Sequence, residues 1–181
     1  MEVSGGLLDV RRFRTPEGMQ RFHDIARGIS RRTYQERLLG GGLPDDAAFL
    51  QSLDALAAAD SVRAWLLYIA GEPAAYLYCP VVAGTVRYDH VGHDPAFNDL
   101  SPGGVLMLEA MRDLYAEPGL TQFDFTEGDG QHKRSFATHG VACLDLLLLR
   151  PSLANRATMV ALDVFDRSAA WGKRAVARLG L

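Results

Sequence analysis

The feature that most constrains this chain is a change of period at Val62. Residues from Val62 to Ala70 are almost continuously apolar and include Trp65, Tyr68 and Ile69. Gly71-Glu72-Pro73 breaks the run, and Ala74 to Val82 is apolar again. Short apolar runs separated by turn residues read as strands, not helices. Gly84 supplies a second turn before TVRYDHVG. That third segment alternates, with Val86, Tyr88 and His90 expected on one side and Arg87, Asp89 and Val91 on the other. The three segments predict an antiparallel meander.

Helical spacing dominates on either side of the meander. After a first strand over Leu7 to Phe13, Thr15 can cap a helix whose first position is Pro16. Met19, Phe22, Ala26 and Ile29 recur at helical spacing and are expected in the core. SRRTYQERL is expected to continue as a helical piece until Gly40-Gly41-Gly42 and Pro44 break it. Asp45-Asp46 caps the next helix, with Phe49, Leu53 and Leu56 inward. Beyond the meander, a helix from about Gly103 to Ala116 carries Met107, Ala110, Met111 and Leu114 as its apolar stripe, and Tyr115 is expected half-buried at its end. TQFDFT reads as a short strand with Phe123 and Phe125 on one face. A short helix is expected within GDGQHKRSFATHG and a buried strand in VACLDLLLL. A last helix runs from about Leu153 to Leu179. This order predicts an α/β (α+β) domain with a mixed, mostly antiparallel sheet and helices on both faces. The domain is expected over residues 1–150, with a helical extension, 151–181, packed on it.

Nineteen Lys and Arg stand against 22 Asp and Glu, a net charge of −3. That balance lacks the basic excess of a nucleic-acid binder. Cys79 and Cys143 are expected to be buried, reduced thiols. The start MEVSGGLLDVRRF has no signal-peptide core, and no apolar run approaches a membrane span. A cytoplasmic protein without integral membrane segment or nucleic-acid partner is expected. The basic tail, Arg167, Lys173, Arg174 and Arg178, is either a solvated helix face or a dimer or membrane-surface contact. No Gly-x-Ser-x-Gly elbow, P-loop or dinucleotide fingerprint occurs.

Two sites are legible from the residues alone. Ser101-Pro102-Gly103-Gly104 stands where a strand hands over to a helix. Free N–H groups and the helix dipole favour an anion there, and the glycines let backbone approach it; an ordinary capped turn with Ser101 as cap is the other reading. Asp89-His90-Val91-Gly92-His93-Asp94 packs imidazoles and carboxylates closely. On a strand, however, His90 and His93 diverge, so no metal is expected.

The segments SRRTYQERL, GEPAAYLYCPV, HDPAFNDLSPGGVLMLEAM and FDFTEGDGQHKRSF, in that order over Arg31 to Phe136, resemble the GNAT acyltransferase superfamily. More specifically they resemble its branch of Fem-type aminoacyl transferases and acetyltransferase-like proteins linked to cellulose and exopolysaccharide synthesis. The resemblance implies a sheet splayed between its fourth and fifth strands to admit an acyl-CoA arm. It implies acetyl-CoA or another acyl-CoA, or a carrier-protein thioester, as donor and a small-molecule amine as acceptor, in polysaccharide or cell-envelope biosynthesis. Members of that branch often carry two such domains in one chain, so a homodimer is expected to rebuild a two-domain site here. Ser101, Gly103, Gly104 and Val91 are then the expected donor-binding residues. The superfamily's Gln/Arg-x-x-Gly-x-Gly/Ala signature is not present at 98–104, and Asp99 adds a negative charge there.

Amine acylation needs a base for the ammonium proton and a donor for the oxyanion. Asp124 and His90 are the candidate bases and Lys133 the candidate cation. Glu127, Asp129 and His132 lie nearby, and Gly128-Asp129-Gly130-Gln131-His132-Lys133 matches a Gly-Asp-x-x-x-Lys stretch of Fem-type relatives. Structural roles stay open for each: a satisfied carboxylate, a cleft-wall histidine, a tight turn, a solvated lysine. A fold kept as a non-catalytic binding or scaffold module is the alternative function.

Overall fold

The computed structural model describes residues 8–33, 42–128, 130–144, 146 and 148–179, without side chains at 132, 170 and 172–179. The chain divides into two compact units, Met1–Gly140 and Val141–Leu181.

In the first unit, β1 (Leu8–Phe13) leads into α1 (Pro16–Ser30) and α2 (Ala47–Ala58). The meander follows as β2 (Val62–Ile69), β3 (Glu72–Val82) and a third strand in two pieces, β4 (Thr85–Arg87) and β5 (His90–His93). A 3-10 turn (Pro95–Leu100), α3 (Pro102–Tyr115), β6 (Gln122–Asp124) and α4 (Gln131–Phe136) complete the unit. The caps come from the expected residues: the Thr15 side chain accepts from the Gly18 N–H, and that of Asp46 from the N–H groups of Ala48 and Phe49. SRRTYQERL falls mostly at 34–41, outside the described residues.

The sheet order is β1-β2-β3-β4-β6, with β5 also on β3. Every pairing is antiparallel except β4 with β6, which is parallel. β2 and β3 are central and buried on both faces, which is why their sequences read as unbroken apolar runs. Alternation still sorts their side chains. Ala64, Leu66, Tyr68, Tyr76 and Tyr78 pack with Met19, Phe22, Ala26 and Ile29 of α1 and Leu53 of α2. Trp65, Leu67, Leu77 and Cys79 pack with Leu106, Met107, Ala110 and Leu114 of α3. Helices thus cover both faces, one core on each.

Three expectations are corrected. The third meander strand does not alternate throughout. β4 pairs β3 as Val81↔Val86 and Val82↔Thr85, whereas β5 pairs it as Tyr78↔His90 through Ala75↔His93. The β4–β5 side therefore holds one extra residue, a bulge at Tyr88-Asp89, and a one-residue slip moves later side chains to the opposite face. Tyr88 and Val91 consequently belong to the α3-side core, while the His90 ring meets Phe49 and Tyr78 on the other face. Second, the described residues of VACLDLLLL form no strand and are exposed, Cys143 with them. A strand needs a ladder partner, and no described residue there has one; apolar composition alone cannot supply it. Third, Tyr115 is 86% exposed, because the helix end presents it to solvent while Leu114 turns inward.

In the second unit, α5 (Leu153–Leu179) follows Pro151 and Ser152, whose hydroxyl accepts from the Asn155 N–H.

Candidate functional site

The site begins where the sheet opens. β6 runs beside β4 for three residues, Thr85↔Gln122 to Arg87↔Asp124, and the Tyr88 N–H adds a last rung to the Asp124 carbonyl at 2.9 Å. Beyond that rung β5 keeps its ladder with β3, and among the described residues no backbone hydrogen bond joins it to the chain after Asp124. Left-handed conformations at Thr126 (φ +59°) and Gly128 (φ +93°) turn that chain away. The neighbouring strands part, leaving one edge of β5 open. On the paired edge, the Asp94 N–H reaches the Ala74 carbonyl at 2.8 Å. Antiparallel residues alternate between paired and outward-pointing backbone groups, so the N–H and C=O of Val91 and His93 belong to the open edge.

At the far end of β5 stands the start of α3. Ser101 occupies the cap position in a left-handed conformation, φ +49°, and its side chain makes no cap hydrogen bond, contrary to the capped-turn reading. No acidic residue lies in the first turn to neutralise the helix start, and Pro102 contributes no N–H there. The helix start therefore keeps its partial positive charge. A Cβ added at Gly103 would lie 4.0 Å from His93 Nδ1, so the helix start abuts the end of the open strand edge. A Cβ at Gly104 would meet nothing within 4 Å.

On the α3 side of the opening, Tyr88 stacks obliquely with Phe123 and Phe125, ring centres 6.2 and 5.7 Å away. Burial pushes its phenol up to about 12, so the hydroxyl stays protonated. Lys133 on α4 sets its ammonium 6.0 Å from the Tyr88 ring centre and donates a hydrogen bond to the Glu127 carbonyl. Asp124 is exposed, and its carboxylate accepts from the Thr126 N–H at 2.8 Å, which closes the turn after β6. Asp129 and the His132 side chain lie outside the described residues.

On the opposite side, the His90 ring sits edge-on to Phe49, centres 5.7 Å apart, and 5.9 Å from Tyr78. Burial lowers its pKa below the ordinary 6.5; Asp89 opposes this and Arg87 adds to it. A neutral imidazole with an available lone pair is the form present near pH 7. His93 instead engages Asn98 Oδ1 at 2.8 Å, so the two imidazoles diverge. Among the described residues no three His, Cys, Asp or Glu side chains are grouped to hold a metal.

Sequence reasoning does not mark Tyr88 and His90 as opposite cleft walls, because the bulge decides which face each takes, and Tyr78 and Phe49 carry no signal that separates a cleft wall from core packing. Gly92 was passed over too, though an isolated glycine within a strand pattern signals a bulge or close backbone approach.

A family model described as an acetyltransferase (GNAT) domain matches residues 2–134. No curated protein sequence matches the chain. The fold is similar to that of an aminoglycoside acetyltransferase, meta-AAC0020, from an uncultured soil metagenomic sample, solved with trehalose. Identity is 13% and the TM-score 0.54, over 80% of this chain and 97% of that one. It is also similar to a possible acetyltransferase from Clostridium difficile 630, at 10% identity and TM-score 0.55 over 80% and 99% of the two chains. A third likeness is to AAC(6')-Iy in complex with a bisubstrate analog, CoA-S-monomethyl-acetylneamine, at 14% identity and TM-score 0.54 over 80% and 99%.

Proposed function

Because the chain belongs to the acetyltransferase (GNAT) domain family and is by that membership an N-acyltransferase, we propose that it moves an acyl group from acyl-CoA to a small-molecule amine through the opening between β5 and β6. The observation that carries this reading is the parting of the strands beyond the Tyr88–Asp124 rung, ending at a helix start with no acidic first turn. An amide-bearing pantetheine arm can pair with the outward N–H and C=O of Val91 and His93, extending the sheet as a strand would. Its phosphates then meet the first turn of α3 at Gly103 and Gly104, where backbone is accessible and the dipole favours anions. The structural relative solved with a CoA-derived bisubstrate analog supports the same donor.

The amine approaches from the other face, along Phe49, Tyr78 and His90. His90 accepts the proton of the incoming ammonium at whichever ring nitrogen faces the opening. The amine nitrogen then bonds to the thioester carbonyl carbon, the carbon–sulfur bond breaks, and the CoA thiolate leaves, taking up the second proton that the nitrogen sheds as the amide forms. Tyr88, whose phenol burial keeps protonated, donates a hydrogen bond to the departing sulfur. Lys133 contributes fixed positive charge beside that ring for the developing negative charge. Asp124 orders the β6 turn that holds the opening apart. Positioning supplies the rest, without a covalent enzyme intermediate.

The Gly128-to-Lys133 spacing supports the Fem-type and cellulose-associated branch, and with it an acceptor in polysaccharide or cell-envelope biosynthesis. A homodimer would give this chain the second domain that such relatives carry.

Calorimetry with acetyl-CoA tests the donor. Binding is expected, and Gly104→Asp, which meets no neighbour, is expected to weaken it by about tenfold through charge repulsion at the helix start. Absence of heat with acetyl-CoA and longer acyl-CoAs at millimolar concentration overturns the proposal.

A further inference from the structure

The segment after Gly140 has its own character. Its six Lys and Arg stand against three Asp, a net charge of +3, while the whole chain is −3, leaving −6 on residues 1–140. None of the buried hydrophobic residues comes from this segment; all lie between Met19 and Leu114. Its apolar residues are nevertheless ordered along α5. At 100° per residue, Leu153, Val160, Val164 and Trp171 fall within about 20° of one line, and they are 85, 65, 59 and 74% exposed. Arg156 and Arg167 border that line on one side, and Arg167 pairs with Asp163 one turn back. Ala157, Ala161 and Phe165 widen the apolar sector on the other side.

We propose that α5 lies flat on an anionic lipid surface and brings the catalytic unit to it. Four observations favour this occupant. The stripe returns to its starting line after 18 residues, five turns of a straight helix, and its apolar sector is broad. A coiled coil with a second copy needs a narrow seam repeating every 3.5 residues, and here the seam through Leu153, Ala157, Val160, Val164 and Trp171 is interrupted by Arg167, which is ion-paired with Asp163. The helix is about 40 Å long at 1.5 Å per residue, yet none of the described helices is apolar enough to cross a membrane. An amphipathic helix with Trp in the apolar face and Arg at its border has the composition of an in-plane, interfacial element. Its positive charge, on an otherwise negative chain, selects anionic headgroups over neutral ones.

The full chain carries its own probe. Trp65 is buried, with its indole N–H on Asp113 Oδ2 at 2.8 Å, so vesicle-dependent changes in emission report Trp171. Flotation and fluorescence are measured with vesicles of phosphatidylcholine alone and of phosphatidylcholine with phosphatidylglycerol. The expected result is co-flotation with the anionic vesicles, a blue shift of Trp171, quenching by brominated lipid, and loss of binding at high salt. Val164→Asp, at an exposed helix position, weakens binding by about tenfold or more, and Arg156→Ala with Arg167→Ala weakens it on anionic vesicles. Acetyl transfer to a soluble amine stays unchanged in both variants. Three results overturn the proposal. One is no binding, or equal binding to neutral and anionic vesicles. Another is a dimer that Val164→Asp splits without any effect on vesicles, which makes the occupant a second copy. The last is Trp171 emission already shielded in buffer and indifferent to lipid, which makes the occupant the chain's own domain.

Discussion

At Gly92 the open strand leaves no room for a side chain. An added Cβ would sit 2.5 Å from Cε1 and 2.9 Å from Cζ of Tyr76, and 3.0 Å from Thr33 Cγ2. The Tyr76 ring is buried and cannot swing away, so Gly92→Ala must displace β5 from β3. Overpacking of this kind costs about 1–3 kcal/mol, which a denaturant titration reads directly. Because Val91 and His93 flank the glycine, donor affinity should fall more than stability alone explains; unchanged acetyl-CoA affinity would detach the open edge from donor binding. His90, two residues earlier, makes a prediction about pH. Its pKa is lowered chiefly by burial, so the neutral base persists further into acid than a free imidazole, and protonation switches it off only below 6.5. The acidic limb of kcat/KM should therefore lie below that value and the profile be level through neutrality. His90→Asn should lose about 10²-fold or more in kcat and abolish the limb. A retained limb at the same place would assign the base elsewhere.

Elements are joined at the other end of the sheet by a charge network that has no part in the opening. Arg63 on β2 is 3% exposed and gives its Nε to both Glu117 oxygens at 3.0 Å, with further bonds to the Val62 and Asp60 carbonyls. Arg12 and Arg14, flanking the end of β1, reach Glu117 as well, and Arg14 grips Asp60. This ties β1, β2 and the exit of α3 together. Glu117→Ala leaves a buried guanidinium without its main carboxylate, a loss of about 3–5 kcal/mol in chemical denaturation. The Arg63 hydrogen bond, ahead of the opposing effect of burial, holds the Glu117 carboxyl below its ordinary 4.5. A depressed carboxyl stabilises the fold above its unfolded value and loses that contribution as pH falls through the folded one. Wild type should therefore weaken below about pH 4.5 in a way the alanine variant does not share. This junction was invisible in the sequence, because Arg63 and Glu117 are 54 residues apart and neither belongs to a local pattern. Elements with a strong local signal were legible: the α1 and α2 caps, the α1 core stripe, the β2–β3 hairpin, and α3 with the glycines at its start. The Tyr88-Asp89 bulge was not, since a perfect alternation in TVRYDHVG fits the residues equally well until the register with β3 is known. The ends of the opening could thus be picked out from residue type, but the faces of His90 and Tyr88 could not.

For the whole molecule, the distribution of buried surface carries a stronger consequence than the element count. The two cores, one on each face of the sheet, draw every buried hydrophobic residue from Met19 to Leu114, and the charge network closes at Glu117. Nothing described after Gly140 adds a buried apolar group, so the energy of folding should reside in the first unit. A chain ending at Gly140 is expected to unfold cooperatively, with an unfolding free energy within about 0.5 kcal/mol of the full chain's and an unchanged m-value, since m follows the surface exposed on unfolding. It should bind acetyl-CoA with the same affinity, because Val91, His93 and the start of α3 all lie within it. It should also be the more soluble of the two, having shed the exposed Leu144, Leu146, Leu148 and Leu149. Retained near-UV circular dichroism and a single sharp transition are the signature. Loss of tertiary signal with secondary structure kept would mean that the leucine-rich segment supplies packing the first unit needs, and that the open sheet edge at β6 is where a further strand belongs.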